Sequence, residues 1–381
     1  MTTAAGTRGA PGALVAVFAL AVLVLALVYP LTAAGDPGVT VMRWQSGAIP
    51  ILAWALLAFA AWRALAPTPH ARFTLLLVLP CVAGAAVFAT LPPATGAAPA
   101  ASGFWLALLA TLALATITVQ RFAALDGARI YRPLTAALFG LWVLFFWQVG
   151  VTAFEVPRVL LPAPSAIVAS MLGQWDTLLR DFVQTVLKAV LVGWVVGSTL
   201  GFLVAVAIDR LPFLQRGLLP IASLTGTIPL VAVAPIMVMW FGFEWPSKAA
   251  VVVLMTFFPM LIATLAGLRA AGKLELELMH SYAAGYVRTL IDLRLPCALP
   301  FIMSALKVNA TLALIGGIVA EFFGSPTVGL GFRISTEAAR LNMPFVWGAI
   351  VVAAVSGSAA YALLVQLERR WAFWHPSVRS A

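Results

Sequence analysis

Histidines and a lysine-bearing glycine segment are where catalysis or nucleotide binding would have to sit in this 381-residue chain. His70, His280 and His375 fall on three separate polar segments. No His-Glu-x-x-His pair offers two imidazoles to a zinc ion from one helix face, and no Gly-x-Ser-x-Gly turn presents a nucleophile. Residues 267–274, GLRAAGKL, come within one residue of a phosphate-binding loop through Gly267, Gly272 and Lys273. Leu274 stands where a Ser or Thr would reach the magnesium ion, and an apolar helix precedes the segment where that fold needs a strand. The inventory speaks against an enzyme, and against any metal or cofactor held by this chain. Cys81 and Cys297 lie on distant segments and form neither a disulfide nor a metal site.

Polar groups inside apolar segments are the other chemically expressive positions, because burying them in hydrocarbon is costly. Lys188, Lys307, Asn309 and Glu321 qualify. Lys307 lies about two turns from the inner end of its segment, within reach of the interface by snorkelling. Asn309 and Glu321, with Thr227 in a broken segment, are the candidates to line a translocation path. Helix–helix hydrogen bonding is the competing role for Asn309, and exposure at the outer edge for Glu321.

The elements that carry these residues are membrane helices. The chain is 63% hydrophobic and 9% charged, where a soluble domain has roughly half apolar and about a quarter charged residues. Ten apolar segments are long enough to cross a hydrocarbon core of about 30 Å as helices: 13–33, 48–66, 72–90, 103–122, 134–152, 184–208, 216–241, 248–268, 298–321 and 345–367. The seventh is interrupted by Gly226, Pro229 and Pro235, a pattern tolerated where neighbouring helices or a water-filled path satisfy the freed backbone. The first is long for the apolar core of a secretory signal and reads as an uncleaved helix. The fold class is therefore all-α, a polytopic bundle of about ten transmembrane helices.

The net charge of +10 raises nucleic acid as a partner, and the placement of the cations sets that aside. With the amino terminus in the cytoplasm, fifteen of the 23 Lys and Arg fall on inner segments and six on outer ones, Lys188 and Lys307 being within helices. That asymmetry obeys the positive-inside rule and places both termini inside. The partner it implies is the lipid bilayer.

The chain divides near residue 133. Residues 1–133 hold four helices rich in Ala, Leu and Val, chemically silent and suited to packing, insertion or partner contact. Residues 134–381 are more organised. LLPAPSAIV at 160–168 favours an extended entry to the next element, and Gly193, Gly197 and Gly201 present one smooth helix face. That face serves either tight packing or a moving seam. FFGSPTVGLGFRISTEAARLNMP near residue 330 offers a short outer surface helix to an external partner.

One polar insertion stands apart between two apolar segments, ELMHSYAAGYVRTLIDLRLPCALP from Glu277 to Pro300. Leu276, Met279, Ala283, Tyr286 or Val287, and Leu290 recur at three- and four-residue steps, with Glu275, Glu277, His280, Arg288 and Asp292 between them. The pattern predicts one or two short surface helices, stopped by Leu295-Pro296 and suited to docking a partner.

This insertion resembles the EAA loop of binding-protein-dependent ABC importer permeases, in the branch that carries nitrate, sulfonates and taurine. The matching positions are Glu277, Ala284, Leu295-Pro296 and Ala298 to Pro300. LLPAPSAIV, the glycine-spaced helix, TIPLVAVAPIMVMWFGF, the SK of Pro246-Ser247-Lys248, FFPMLIATLAGLR and VAEFFGSPTVGLGFRI follow in the same order as in that branch. The resemblance covers about 160–370; the four amino-terminal helices lie outside it. Met279 departs from a usual alanine, and Ala283 stands where the family generally has its central glycine, with Gly285 two residues later.

The resemblance implies a type I importer core in a bacterial inner membrane and a coupling helix at about 275–296 gripped by a cytoplasmic ATPase subunit. Glu277, Met279, Ala283, Ala284, Gly285, Leu295 and Pro296 are the coupling residues it designates. ATP and magnesium then belong to the partner subunit, a periplasmic binding protein delivers the solute, and two permease copies form the pathway. The tail LERRWAFWHPSVR, with FRISTEAARLNMP and MHSYAAG, resembles permeases for pyrimidine-type vitamin precursors or riboflavin. The competing class is a secondary transporter or channel independent of ATP, which would show paired intramembrane charges or inverted repeats.

Overall fold

The computed structural model describes residues 10–29, 47–65, 71–89, 102–124, 131–211, 230–324 and 327–374, and regular structure among them is helical throughout. Seven helical stretches are long and apolar enough to cross a membrane: Ala48–Leu65, Ser102–Ala123, Pro133–Ala153, Trp175–Arg210, Trp245–Leu268, Tyr286–Phe322 and Met343–Trp371. The other three expected segments also carry apolar helices, Ala10–Val28, Ala71–Ala89 and Leu230–Phe241. Thr227, with Gly226 and Pro229, lies outside the described residues.

By its contacts the chain divides between Ala166 and Ile167. The first unit holds α1 (Ala10–Val28), α2 (Ala48–Leu65), α3 (Ala71–Ala89), α4 (Ser102–Ala123) and α5 (Tyr131–Ala153), so α5 packs with the four helices before it. Its interior mixes small side chains with large ones: Ala16, Ala19, Ala60, Ala61, Ala64 and Ala110 are fully buried, as are Leu23, Leu57, Leu77 and Leu114, while Leu14, Val17, Leu25 and Phe59 face outward. Lipid is as apolar as leucine, so such helices hold together by close approach rather than by a hydrophobic pull. Two indoles add directed bonds. Trp54 Nε1 donates to the Leu23 carbonyl at 2.9 Å, and Trp142 Nε1 to Thr118 Oγ1 at 3.1 Å.

In the second unit, α6 (Pro164–Gly173) precedes one continuous helical stretch: α7 (Trp175–Phe182), a π-helical stretch (Val183–Val190) and α8 (Leu191–Arg210). α9 (Leu230–Phe241) and α10 (Trp245–Leu268) follow, then α11 (Lys273–Ser281), α12 (Tyr286–Thr289), a π turn (Leu290–Arg294) and α13 (Leu295–Phe322). α14 (Leu330–Ala339) and α15 (Met343–Trp371) complete the unit. Pro246 and Pro344 fall in the first helical turn, where a missing N–H costs nothing.

The centre of this unit is the packing of α10 between α8 and α13. The glycine row is what lets α8 approach. A Cβ on Gly193 would lie 2.7 Å from the Ala249 carbonyl oxygen, and one on Gly197 2.8 Å from that of Val253. Backbone so placed cannot step aside, so the row is a packed seam. α13 answers with Gly316 and Gly317, whose missing Cβ atoms leave room for Met255 and Val190. Lys307 on α13 does not end at a free interface: its Nζ lies 2.8 Å from Glu368 Oε2 on α15.

Candidate functional site

α11 begins at Gly272, and Glu275 in its third position folds back into the space that a Cβ on Gly272 would fill. That placement brings a carboxylate to the positive end of the helix. The far end closes on itself. The Ala283 amide donates to the His280 carbonyl at 2.9 Å and the Ala284 amide to that of Met279 at 3.0 Å. These two bonds form a Schellman cap, which needs its middle residue in the left-handed region. Ala283 supplies it at φ 51°. The residue in the family's glycine position is thus the one whose backbone favours glycine. Gly285, in contrast, is extended at φ −67°, ψ 170° and caps α12.

Two faces of the insertion now separate. Leu276, Met279 and Tyr286 are half-buried and Leu290 buried, while Ala283 is exposed, so most of the periodic positions mark the face packed on the protein. The exposed apolar row is a different one: Leu274, Leu278 and Tyr282 at four-residue steps, exposed by 78%, 56% and 77%. Glu277 and His280 beside them are exposed as well. An exposed apolar row beside polar side chains is a surface open to contact. Among the described residues Glu277 makes no ion pair.

Leu295-Pro296 was expected to stop the surface helices, and it does not: Tyr286–Phe322 runs as one helical stretch. The reason lies in the turn before it. Pro296 lacks an N–H and its ring crowds the carbonyl four residues back, and the π turn at Leu290–Arg294 spaces that turn more widely. The end of the insertion and the following apolar helix are therefore continuous.

A residue missed from sequence anchors the insertion. Asp209, at the end of α8, accepts a hydrogen bond from Tyr286 Oη at 3.0 Å and pairs with Arg294 Nη1 at 2.7 Å through the same Oδ2. The Arg210 guanidinium lies 5.6 Å from the centroid of the Tyr286 ring. A carboxylate in the last turn of an apolar helix was the available signal; its partners, more than seventy residues away, had none.

Asn309 is fully buried and joins three helices: its Nδ2 donates to Ser198 Oγ at 3.1 Å on α8 and to the Thr256 carbonyl at 2.7 Å on α10. Glu321 is only 2% exposed, so it does not sit open at an outer edge. It accepts from Thr185 Oγ1 at 2.7 Å and from the Gly331 amide at 2.7 Å. Asp181 adjoins it, fully buried, bonded by the Gly329 amide at 2.8 Å and by Arg333 Nε at 2.8 Å. Gly329 has φ 142°, and a Cβ there would lie 2.6 Å from the Glu321 carboxylate, so both its backbone and its size are required. The structure thus docks α14 onto the rest through buried carboxylates, of which the sequence pattern had singled out Glu321 and not Asp181.

The chain is thus a bundle of apolar helices long enough to cross a membrane, interrupted by a capped helical insert with an exposed apolar row. Comparison with known proteins gives the family. Residues 197–373 match the binding-protein-dependent transport system inner membrane component. The chain is 30% identical over 240 residues to the formylaminopyrimidine transport permease protein ThiX of Halalkalibacterium halodurans, which covers 63% of this chain and 95% of that protein. It is 31% identical over 262 residues to the riboflavin transport system permease protein RibX of Chloroflexus aurantiacus, 68% of this chain and 94% of that one. With the taurine transport system permease protein TauC of Escherichia coli it shares 27% over 243 residues, 62% and 88% of the two chains. The chain belongs to the family of ABC importer permeases: it is a multi-pass membrane transport subunit and not an enzyme.

Proposed function

We propose that this permease imports a small heterocyclic solute of the pyrimidine-precursor or riboflavin type, driven by ATP hydrolysis in a separate subunit that grips α11. The observation that carries the coupling part is the exposed apolar row Leu274, Leu278 and Tyr282 beside Glu277. Met279, Ala283, Ala284 and Gly285 shape that element, and Leu295 and Pro296 lead its movement into α13. ThiX and RibX, at 30% and 31% identity, support the heterocyclic solute over taurine or a sulfonate, whose permeases stand at 27%.

The cycle is a two-state one. Closure of two ATPase subunits on ATP displaces the coupling segments of two permease copies, tilts α10 and α13, and opens the path toward a solute-binding protein; hydrolysis resets it. α11 and both termini face the cytoplasm, residues 1–133 are an accessory block, and 134–381 are the permease core. Asn309 and Glu321 act in the helix seams that must shift, Asn309 across α8, α10 and α13, and Glu321 under α14.

The test is uptake by proteoliposomes carrying this chain with its ATPase subunit and binding protein. Glu277→Lys should leave ATP hydrolysis running while uptake of labelled riboflavin or formylaminopyrimidine falls. Uptake that persists without any ATPase subunit would contradict the coupling, and uptake of taurine alone would contradict the solute.

A further inference from the structure

α10 leads into α11 through residues 269–272, and α12 runs without a break into α13, so these two membrane helices receive any movement of the coupling segment through the backbone. α8 has no such connection. At its inner end it meets the segment through side chains alone, and one carboxylate makes both polar bonds. Asp209 Oδ2 holds Tyr286 at the start of α12 and Arg294 at the end of the following π turn, at 3.0 and 2.7 Å. One bond would be a pivot. Two, at opposite ends of the same short helical piece, fix its orientation against α8.

The setting makes this clamp stiff. The Asp209 side chain is 9% exposed and that of Arg294 26%, so the pair is little screened and the bonds are charge-assisted. Beside it Leu268, Leu290 and Ala298 form a small apolar cluster on which Val206 packs from α8. At the other end of the same continuous helical stretch, Thr185 donates to Glu321 and accepts from the Leu330 amide. The continuous helical stretch that ends in α8 therefore spans from the coupling segment to the clasp that holds α14.

We propose that Asp209 is the positioning residue that ties the inner end of α8, past the glycine seam that packs it on α10, directly to the coupling segment, so that this end follows the ATPase through a contact of its own. This rests on the reading of α11 and α12 as the coupling segment. It adds a specific transmission element: the Asp209–Tyr286–Arg294 clamp.

The experiment uses the full complex with its ATPase subunits in nanodiscs, with both native cysteines replaced. Spin labels are placed at Lys273 on α11, or at the outward-facing Leu203 on α8, and pair distances between the two permease copies are read with and without ATP and vanadate. The wild type should show a nucleotide-dependent shift at both sites. Asp209→Ala should keep the shift at Lys273 and lose it at Leu203, and exchange of the charges in Asp209→Arg with Arg294→Asp should restore it. Tyr286→Phe, which removes one bond and keeps the ring, should give a partial loss and guards against misfolding of the alanine variant. A full shift at Leu203 in both Asp209→Ala and Tyr286→Phe would overturn the clamp. Absence of any shift at Lys273 in the wild type would instead overturn the coupling segment itself.

Discussion

The Ala284 amide reaches the Met279 carbonyl at 3.0 Å only because Ala283 between them turns left-handed at φ 51°. An alanine in that region carries a cost on the order of 1 kcal/mol that glycine does not. Ala283→Gly should therefore raise the thermal unfolding midpoint of the detergent-purified protein, and Ala283→Val should lower it, since β-branching makes the region harder still to reach. Circular dichroism melts of the three proteins check the order.

The glycine seam gives a prediction of opposite sign. On Gly197 a side chain meets the Val253 carbonyl of α10, and Gly197→Val should cost about 1–3 kcal/mol as an overpacked contact. On α5, a methyl added to Gly150 would find nothing within 4 Å, and Gly150→Ala should be neutral or stabilising by up to about 1 kcal/mol. Melting midpoints and the yield of monodisperse protein measure both.

Lys307 and Glu368 form a mostly buried pair, their side chains 17% and 16% exposed. Removing one partner strands the other charge, so Lys307→Met should destabilise by about 3 kcal/mol or more. The double variant Lys307→Met with Glu368→Leu should recover most of that loss. A double-mutant cycle on the melting midpoints tests the coupling, and a double variant whose loss is the sum of the two single losses would deny it.

The fold class was legible because lipid imposes length and apolarity on each span, and the ten expected segments all carry helices where residues are described. Helix continuity was not legible. Leu295-Pro296 reads locally as a stop, and only the π turn at Leu290–Arg294 lets the helix pass. Period alone likewise does not show which apolar positions of α11 stay exposed: Leu276 and Met279 are half-buried, whereas Leu274, Leu278 and Tyr282 stand exposed. Ala283 was visible as a departure from a glycine position, and its φ gives that departure physical content. Asp181 and Asp209 escaped notice because what makes them informative is a partner far along the chain, Arg333 for one and Arg294 for the other.

Cross-linking from α11 tests the central claim most directly. A photoreactive amino acid at Leu278, in the exposed apolar row, is activated in intact cells, and its adducts are identified by mass spectrometry. The expected result is an adduct with a cytoplasmic ATPase subunit carrying its own phosphate-binding loop, weakened by Glu277→Lys. Adducts with lipid or an external protein and none with an ATPase would contradict the account.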